Sequence, residues 1–256
     1  MYITAVFNQK GGVGKTTTVH NMGALLAAEH KQKVLLLDLD AQGNLTDACG
    51  FDPLAQSATT YEVMAQSIPL QQALLPVASG LDLLPANINL AEAELNFMAA
   101  YGRENLLKNA LAHAEYDIVL IDCPPSLGLL TINALTAAHG VLIPVQAEYH
   151  ALAGVRLVRR TVEKVRQALN PALALDGILI TLYDARKKLH SDVAQALHED
   201  VWGAALFKQP VRTNVKLAEA PSAGQSILEY YAGSNGAQDY RKAVQAYLHS
   251  IKNIHR

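Results

Sequence analysis

Lys10-Gly11-Gly12-Val13-Gly14-Lys15-Thr16-Thr17 is the stretch whose reading decides the fold. It fits the phosphate-binding pattern G-x-x-x-x-G-K-[ST], except that the leading glycine is absent and a second lysine, Lys10, stands ahead of Lys15 in the same loop. Upstream, Tyr2-Ile3-Thr4-Ala5-Val6-Phe7 is a β-branched and aromatic run of strand length. Downstream, Val19, Met22, Leu25 and Leu26 recur at helical spacing between Thr17 and Glu29. Strand, glycine loop and helix are the context a phosphate loop requires. Gly11, Gly12 and Gly14, with Val13 among them, let successive N–H groups converge without Cβ clashes. The helix N-terminus adds a partial positive charge. Lys15 is expected to reach the β- and γ-phosphates, Thr16 to place its hydroxyl on Mg²⁺, and Thr17 to bond the α-phosphate.

A Mg-nucleotide site also needs carboxylates at strand ends. Val34-Leu35-Leu36-Leu37-Asp38-Leu39-Asp40 and Ile118-Val119-Leu120-Ile121-Asp122 are apolar runs that end in acids. Continuous apolarity marks strands buried on both faces of a parallel sheet. An acid at the carboxyl end of such a strand sits at the rim where ligands bind. Asp122 is expected to hold the metal through its water shell. Asp40 is expected to orient the attacking water and to touch the metal through water. The alternation of strand and helix predicts an α/β chain: a single-domain P-loop NTPase over residues 1–256, its mainly parallel twisted sheet flanked by helices on both faces.

These residues carry a resemblance. KGGVGKTT, then Asp38 to Asn44 (DLDAQGN), then Ile121 to Gly128 (IDCPPSLG), resemble the deviant Walker A ATPases of the ParA/Soj group. The resemblance continues through Thr181 to Arg186 and is most specific at Asn214-Val215-Lys216-Leu217-Ala218-Glu219-Ala220-Pro221-Ser222. Ala41 departs from the proline that many relatives carry there, without removing a chemical group. The resemblance implies an ATP- and Mg²⁺-dependent ATPase that partitions plasmids or chromosomes, is slow alone, and is stimulated by a ParB-like or adaptor protein. It implies that Lys10 crosses a homodimer interface to the partner's nucleotide. A cation supplied in trans has a physical rationale, since charge in a dry interface acts more strongly than in water. Asp40 takes the catalytic role with Lys10 and Lys15, and Pro210 and Asn214 lie in the segment that surrounds the base. Non-specific double-stranded DNA is the implied polyanion, with Arg186, Arg212 and Lys216 as preferred contacts and Lys187 and Lys188 beside them. No helix-turn-helix precedes the first strand, so operator reading is not expected. The competing functions are a Min-type ATPase that cycles on membranes, a ParA-like positioner of a non-DNA cargo, and a small-molecule kinase of the same fold.

Charge is distributed unevenly. Residues 1–150 hold 6 Lys and Arg against 14 Asp and Glu, and residues 151–256 hold 15 against 9, although the whole chain is only at −2. A basic half fits a polyanion partner. Half of the 256 residues are hydrophobic, ample for a core, and no apolar run approaches the roughly 18 residues that span a bilayer. Two cysteines, Cys49 and Cys123, imply no disulfide framework and lack the spacing of paired cluster ligands. The expected compartment is the cytoplasm, in association with the nucleoid. Gly154 to Leu169 and Ala237 to Ile251 read as amphipathic helices, the latter packing on the sheet through Val244, Tyr247, Leu248 and Ile251. Residues 43–60 are the least determined and follow Asp40, where a segment sensing the γ-phosphate belongs.

Overall fold

The structure, a computed structural model, describes residues 1–254. Seven strands form one sheet: β1 (Tyr2–Val6), β2 (Val34–Asp38), β3 (Leu75–Ala78), β4 (Leu81–Leu84), β5 (Ile118–Asp122), β6 (Gly140–Gln146) and β7 (Ala174–Thr181), in the order β3-β4-β2-β5-β1-β6-β7. All pairings are parallel except β3 with β4. The period-2 pleat splits each apolar run between two cores. Leu35 and Leu37 join Ile3, Ala5 and Phe7 on one face, while Val34 and Leu36 join Tyr2 and Val6 on the other. Helices cover both, as the continuous apolar runs predict.

Helix α1 (Lys15–His30) lies on the second face, burying Val19, Met22, Leu25 and Leu26. The helix Asn235–Ile254 packs beside it through Tyr240, Val244, Tyr247 and Ile251. Its apolar stripe is therefore spent on the core, and no helix among the described residues is long and apolar enough to cross a membrane. On the opposite face the helix Ala151–Ala168 buries Val155, Val158, Val162 and Val165 and turns Arg156, Arg160 and Lys164 to solvent.

Three local expectations shift. The edge strand β3 was not foreseen, because its LPVA sequence is short and carries Pro76, which the antiparallel edge tolerates at a register irregularity. The segment from Ala91 to Ala114, expected to be mostly helical with a break near Gly102, is less helical than that: Leu90–Asn96 and Leu106–Ala110 are its α-helices, and the break falls at Gly102 with φ of 61°, as expected. Residues 43–60 hold a short helix, Asn44–Ala48, and a 3₁₀ turn, Pro53–Ala55.

The end of the sheet remote from the glycine loop is tied by polar groups. Asp176, buried in β7, accepts from the Tyr2 hydroxyl at 2.7 Å and from the Thr4 hydroxyl at 2.8 Å, and Thr4 also meets the Tyr247 hydroxyl at 2.8 Å. Gly140 opens β6 directly under Asp176, where an added Cβ would stand 1.9 Å from Oδ1. A methyl cannot enter without breaking this cluster. Gly140→Ala is expected to cost about 1–3 kcal/mol by overpacking, read as a lowered thermal unfolding midpoint; an unchanged midpoint would remove the close-packing account.

Candidate functional site

The glycine loop leaves β1 at the centre of the sheet and feeds α1. Gly12 and Gly14 have φ of 73° and 81°, the left-handed region that glycine enters at little cost. A Cβ at Gly11 or Gly12 would meet nothing within 4 Å, so the loop is an open cradle. Its neighbours hold it in place. The Asn8 amide donates to the Pro144 carbonyl at 2.7 Å while its oxygen accepts from the Lys10 N–H at 3.0 Å. The Thr181 hydroxyl, at the end of β7, donates to the Val13 carbonyl at 2.8 Å. Lys15 is buried and donates to the Lys10 carbonyl at 3.2 Å, closing the loop on itself. Burial pushes the Lys15 ammonium below its usual range, opposed chiefly by Asp122.

The carboxylates sit beside it. Parallel register places Asp38 directly opposite Asp122. Asp122 accepts from the Thr16 hydroxyl at 2.6 Å through Oδ2, while its buried Oδ1 has no hydrogen-bond partner. Burial and the nearby Asp38 raise its carboxyl to about 8, with Thr16 and Lys15 opposing. Asp38 is fully buried and raised by burial to about 6, although it accepts from the Thr46 N–H and hydroxyl at 2.9 and 2.8 Å. Its other oxygen accepts from the Asp40 N–H at 3.2 Å. Asp40 itself is half-exposed and accepts from the Gln42 N–H at 3.0 Å. An orphaned buried carboxylate oxygen next to a threonine hydroxyl is a set of hard oxygen donors, which fits Mg²⁺.

A cavity of about 330 Å³ opens beside the loop, lined by Gly14, Thr17, Leu182, Asn214, Leu217 and Tyr240 among others. Asn214 is among its lining residues. Pro210 lines a neighbouring cavity, with Ile180 and Phe207, because residues 206–211 run along β7 as an added edge, Val211 donating its N–H to the Ile180 carbonyl at 2.8 Å. Lys10 points outward and pairs with Glu148, which follows β6. Cys49 and Cys123 are both buried and free, and burial pushes both thiols up. Among the described residues no three or more His, Cys, Asp and Glu cluster to hold a metal ion by themselves, so a Mg²⁺ at Asp122 and Thr16 would draw its other ligands from water and phosphate.

The basic residues are less uniform than their sequence suggests. Arg186, Lys187 and Lys188 are exposed at the start of the helix Lys188–His198. Arg186 forms a two-bond fork with Asp184, Arg212 forms one with the buried Asp239, and Lys216 pairs with Glu219 at 2.8 Å. Asp38, Glu148 and Thr181 were missed as functional positions. Asp38 carried a sequence signal, as the first of the two acids that close an apolar run, and Thr181 opens the segment Thr181 to Arg186; Glu148 carried none.

A central parallel sheet, a glycine loop with two lysines and a paired-acid rim define a P-loop nucleoside triphosphatase. The family model for an AAA domain, AAA_31, matches residues 1–175. The chromosome-partitioning ATPase Soj of Treponema pallidum is 45% identical over 247 residues, covering 94% of this chain and 95% of that protein. The sporulation initiation inhibitor protein Soj of Bacillus subtilis is 43% identical over 241 residues, covering 93% and 94%. A solved structure described as cobyrinic acid a,c-diamide synthase from Mycobacterium smegmatis, with bound ATP analog and magnesium, is 41% identical with a TM-score of 0.86, covering 98% of this chain and 96% of that one. The chain belongs to the ParA/Soj family of ATPases.

The raised carboxyl of Asp122 has a consequence for stability. A folded-state pKa near 8 against an ordinary value of 3.8 means that folding favours the protonated acid. That contribution is fully present below about 3.8 and is lost as pH rises through about 8. Without nucleotide and Mg²⁺, Asp122→Asn is therefore expected to raise the unfolding midpoint relative to wild type more at pH 8 than at pH 4. Thermal melts at both pH values measure the difference, and equal shifts would contradict a buried, unmatched carboxylate.

Proposed function

We propose that this protein is a DNA-partition or positioning ATPase: it binds Mg-ATP, closes as a homodimer, holds DNA without regard to sequence, and lets go after hydrolysis that a ParB-like or adaptor protein stimulates. The observation that carries the reading is the second lysine of the loop. Lys10 is turned away from its own loop and exposed, paired with the surface acid Glu148, whereas Lys15 is buried and pinned within it. A cation presented outward from a phosphate loop suits a nucleotide on a facing subunit.

The roles follow from position. The N–H groups of Gly11 to Gly14 and the start of α1 receive phosphate oxygens, Lys15 neutralises them, and Thr17 lies at the boundary between loop and cavity. Thr16 and Asp122 would hold Mg²⁺, Asp122 through water, with Asp40 on the same side. When bound, the metal supplies charge neutralisation between phosphates. Asp40 is the half-exposed acid free to orient a water, because Asp38 behind it fixes the turn through Thr46 and the Asp40 N–H. Asn214 and Leu182 border the base. Burying Lys10 against the partner's phosphates strengthens its pull in the water-poor interface. Turnover is slow until a partner completes this arrangement. DNA contact is phosphate-driven and salt-dependent, and two subunits act together by avidity. The protein then resides in the cytoplasm on the nucleoid.

Amide formation is the second reading that the M. smegmatis structure's description raises. If this chain freed ammonia through a cysteine nucleophile, that thiol would have to be accessible, and both cysteines are buried with raised thiols. The partition reading is the better supported.

Two variants separate the steps. Asp40→Ala should bind ATP, dimerise and retard arbitrary duplex DNA persistently, because phosphate contacts survive loss of the water-orienting group. Lys10→Ala should lose ATP-dependent dimerisation, turnover and DNA retardation. Light scattering, phosphate release and gel shifts with ATP, ADP and no nucleotide read these outcomes; full turnover by Lys10→Ala, or equal DNA binding in all nucleotide states, would sink the proposal.

A further inference from the structure

The two segments that wall the nucleoside cavity carry ion pairs on the stretches that lead out of it. One wall is the end of β7, where Thr181 and Leu182 line the cavity. Leu182 has φ of 52°, a left-handed conformation that a branched side chain adopts at a cost, so the chain leaves the strand through a strained corner. Beyond the corner, Asp184 accepts from Arg186 Nε and Nη2, both at 2.9 Å, and from the Arg186 N–H at 3.1 Å. The other wall is the short helix Val215–Glu219. Asn214, Val215 and Leu217 line the cavity, and the Asn214 oxygen accepts from the Lys216 N–H at 2.8 Å. Lys216 donates to Glu219 Oε2 at 2.8 Å, and the Tyr230 hydroxyl donates to the same oxygen at 3.1 Å.

Arg212, between the walls, differs in kind. Its partner Asp239 is fully buried and also accepts from the Arg212 N–H at 3.0 Å. Its guanidinium is fixed to the fold, since freeing it would strand a buried carboxylate. Arg186 and Lys216 are solvent-facing, with side chains 89% and 46% exposed; Glu219 is exposed as well, while Asp184 is partly covered. The single-bond Lys216–Glu219 pair is of the kind that exchanges readily, and the two-bond Asp184–Arg186 fork holds more firmly but, unlike the pair with Asp239, uses a carboxylate that solvent still reaches.

We infer that Asp184 and Glu219 act as internal stand-ins for DNA phosphate: they compete with the duplex for Arg186 and Lys216, and seating of the nucleotide moves both walls and hands the two cations to the duplex backbone. The inference rests on the DNA-binding reading above and adds the device that makes it nucleotide-dependent. Leu182 and Asn214 are the transmitting positions, each touching the cavity and each within two residues of a paired group. A carboxylate is the chemical likeness of a phosphate to a guanidinium or ammonium, so exchange of one for the other leaves the cation satisfied throughout.

The experiment measures affinity for a short duplex of arbitrary sequence by fluorescence anisotropy, with and without a non-hydrolysable ATP analogue. The readout is the ratio of Kd without nucleotide to Kd with it. In Asp184→Asn/Glu219→Gln the ratio should fall at least about threefold, because nucleotide-free binding tightens; each exposed pair is worth up to about fivefold. The salt slope of nucleotide-free binding should steepen by about one per freed cation. Asp192→Asn is the control, an exposed acid with no ion pair among the described residues: it should shift both states alike and leave the ratio unchanged. An unchanged ratio in the double variant, or a fall caused only by weaker binding with nucleotide, overturns the inference. If the double variant no longer dimerises by sedimentation, the two single variants carry the same test, each lowering the ratio by part. Wild type that fails to bind the duplex with nucleotide at low salt would instead refute the DNA reading, and this inference with it.

Discussion

Two carboxylates stand side by side at the carboxyl edge of the sheet because β2 and β5 run parallel in a register that sets Asp38 opposite Asp122. Both are buried, and both are pushed toward their protonated forms by that burial. Asp38 is largely satisfied by Thr46 and the Asp40 N–H, whereas Asp122 has one oxygen on Thr16 and one on nothing. An unmatched buried carboxylate oxygen costs stability on its own. The site is thus built around a deficit of positive charge, met in part by Lys15 and completed by a hard cation.

The surrounding loops are organised by that edge. Asp38 suspends the turn carrying Asp40, so the acid exposed to a water is positioned by one that is not. Asn8, Thr181 and Lys15 fasten the glycine loop from β6, from β7 and from within. Each bond removes freedom before any nucleotide arrives, which lowers the ordering cost of binding. The Lys10 backbone shares this fastening, but its side chain turns outward to Glu148, which distinguishes the loop from an ordinary phosphate cradle.

The cavity beside the glycine loop shows how a catalytic fold and a charged surface share material. β7 ends in the wall beside Gly14 and continues into the Asp184–Arg186 turn, while Asn214 both lines the cavity and caps the helix that bears Lys216. No separate linker stands between site and surface. Net basic charge in residues 151–256 therefore overstates the free cations, since Arg186, Arg212 and Lys216 are each matched by an acid.

The sequence by itself determined the loop, the strands that carry the acids and the parallel class of the sheet, because glycine spacing and apolar runs are local and their backbone consequences are short-range. Pro76 hid β3, and the break at Gly102 was legible only as a break, since edge pairing and helix length depend on what lies alongside. Only the tertiary structure set Asp38 against Asp122, placed Glu148 on Lys10, lined separate cavities with Pro210 and Asn214 and committed Arg212 to Asp239. These are contacts between segments remote in the chain. No local pattern encodes them, because strand register and the packing of one loop on another fix which charges meet.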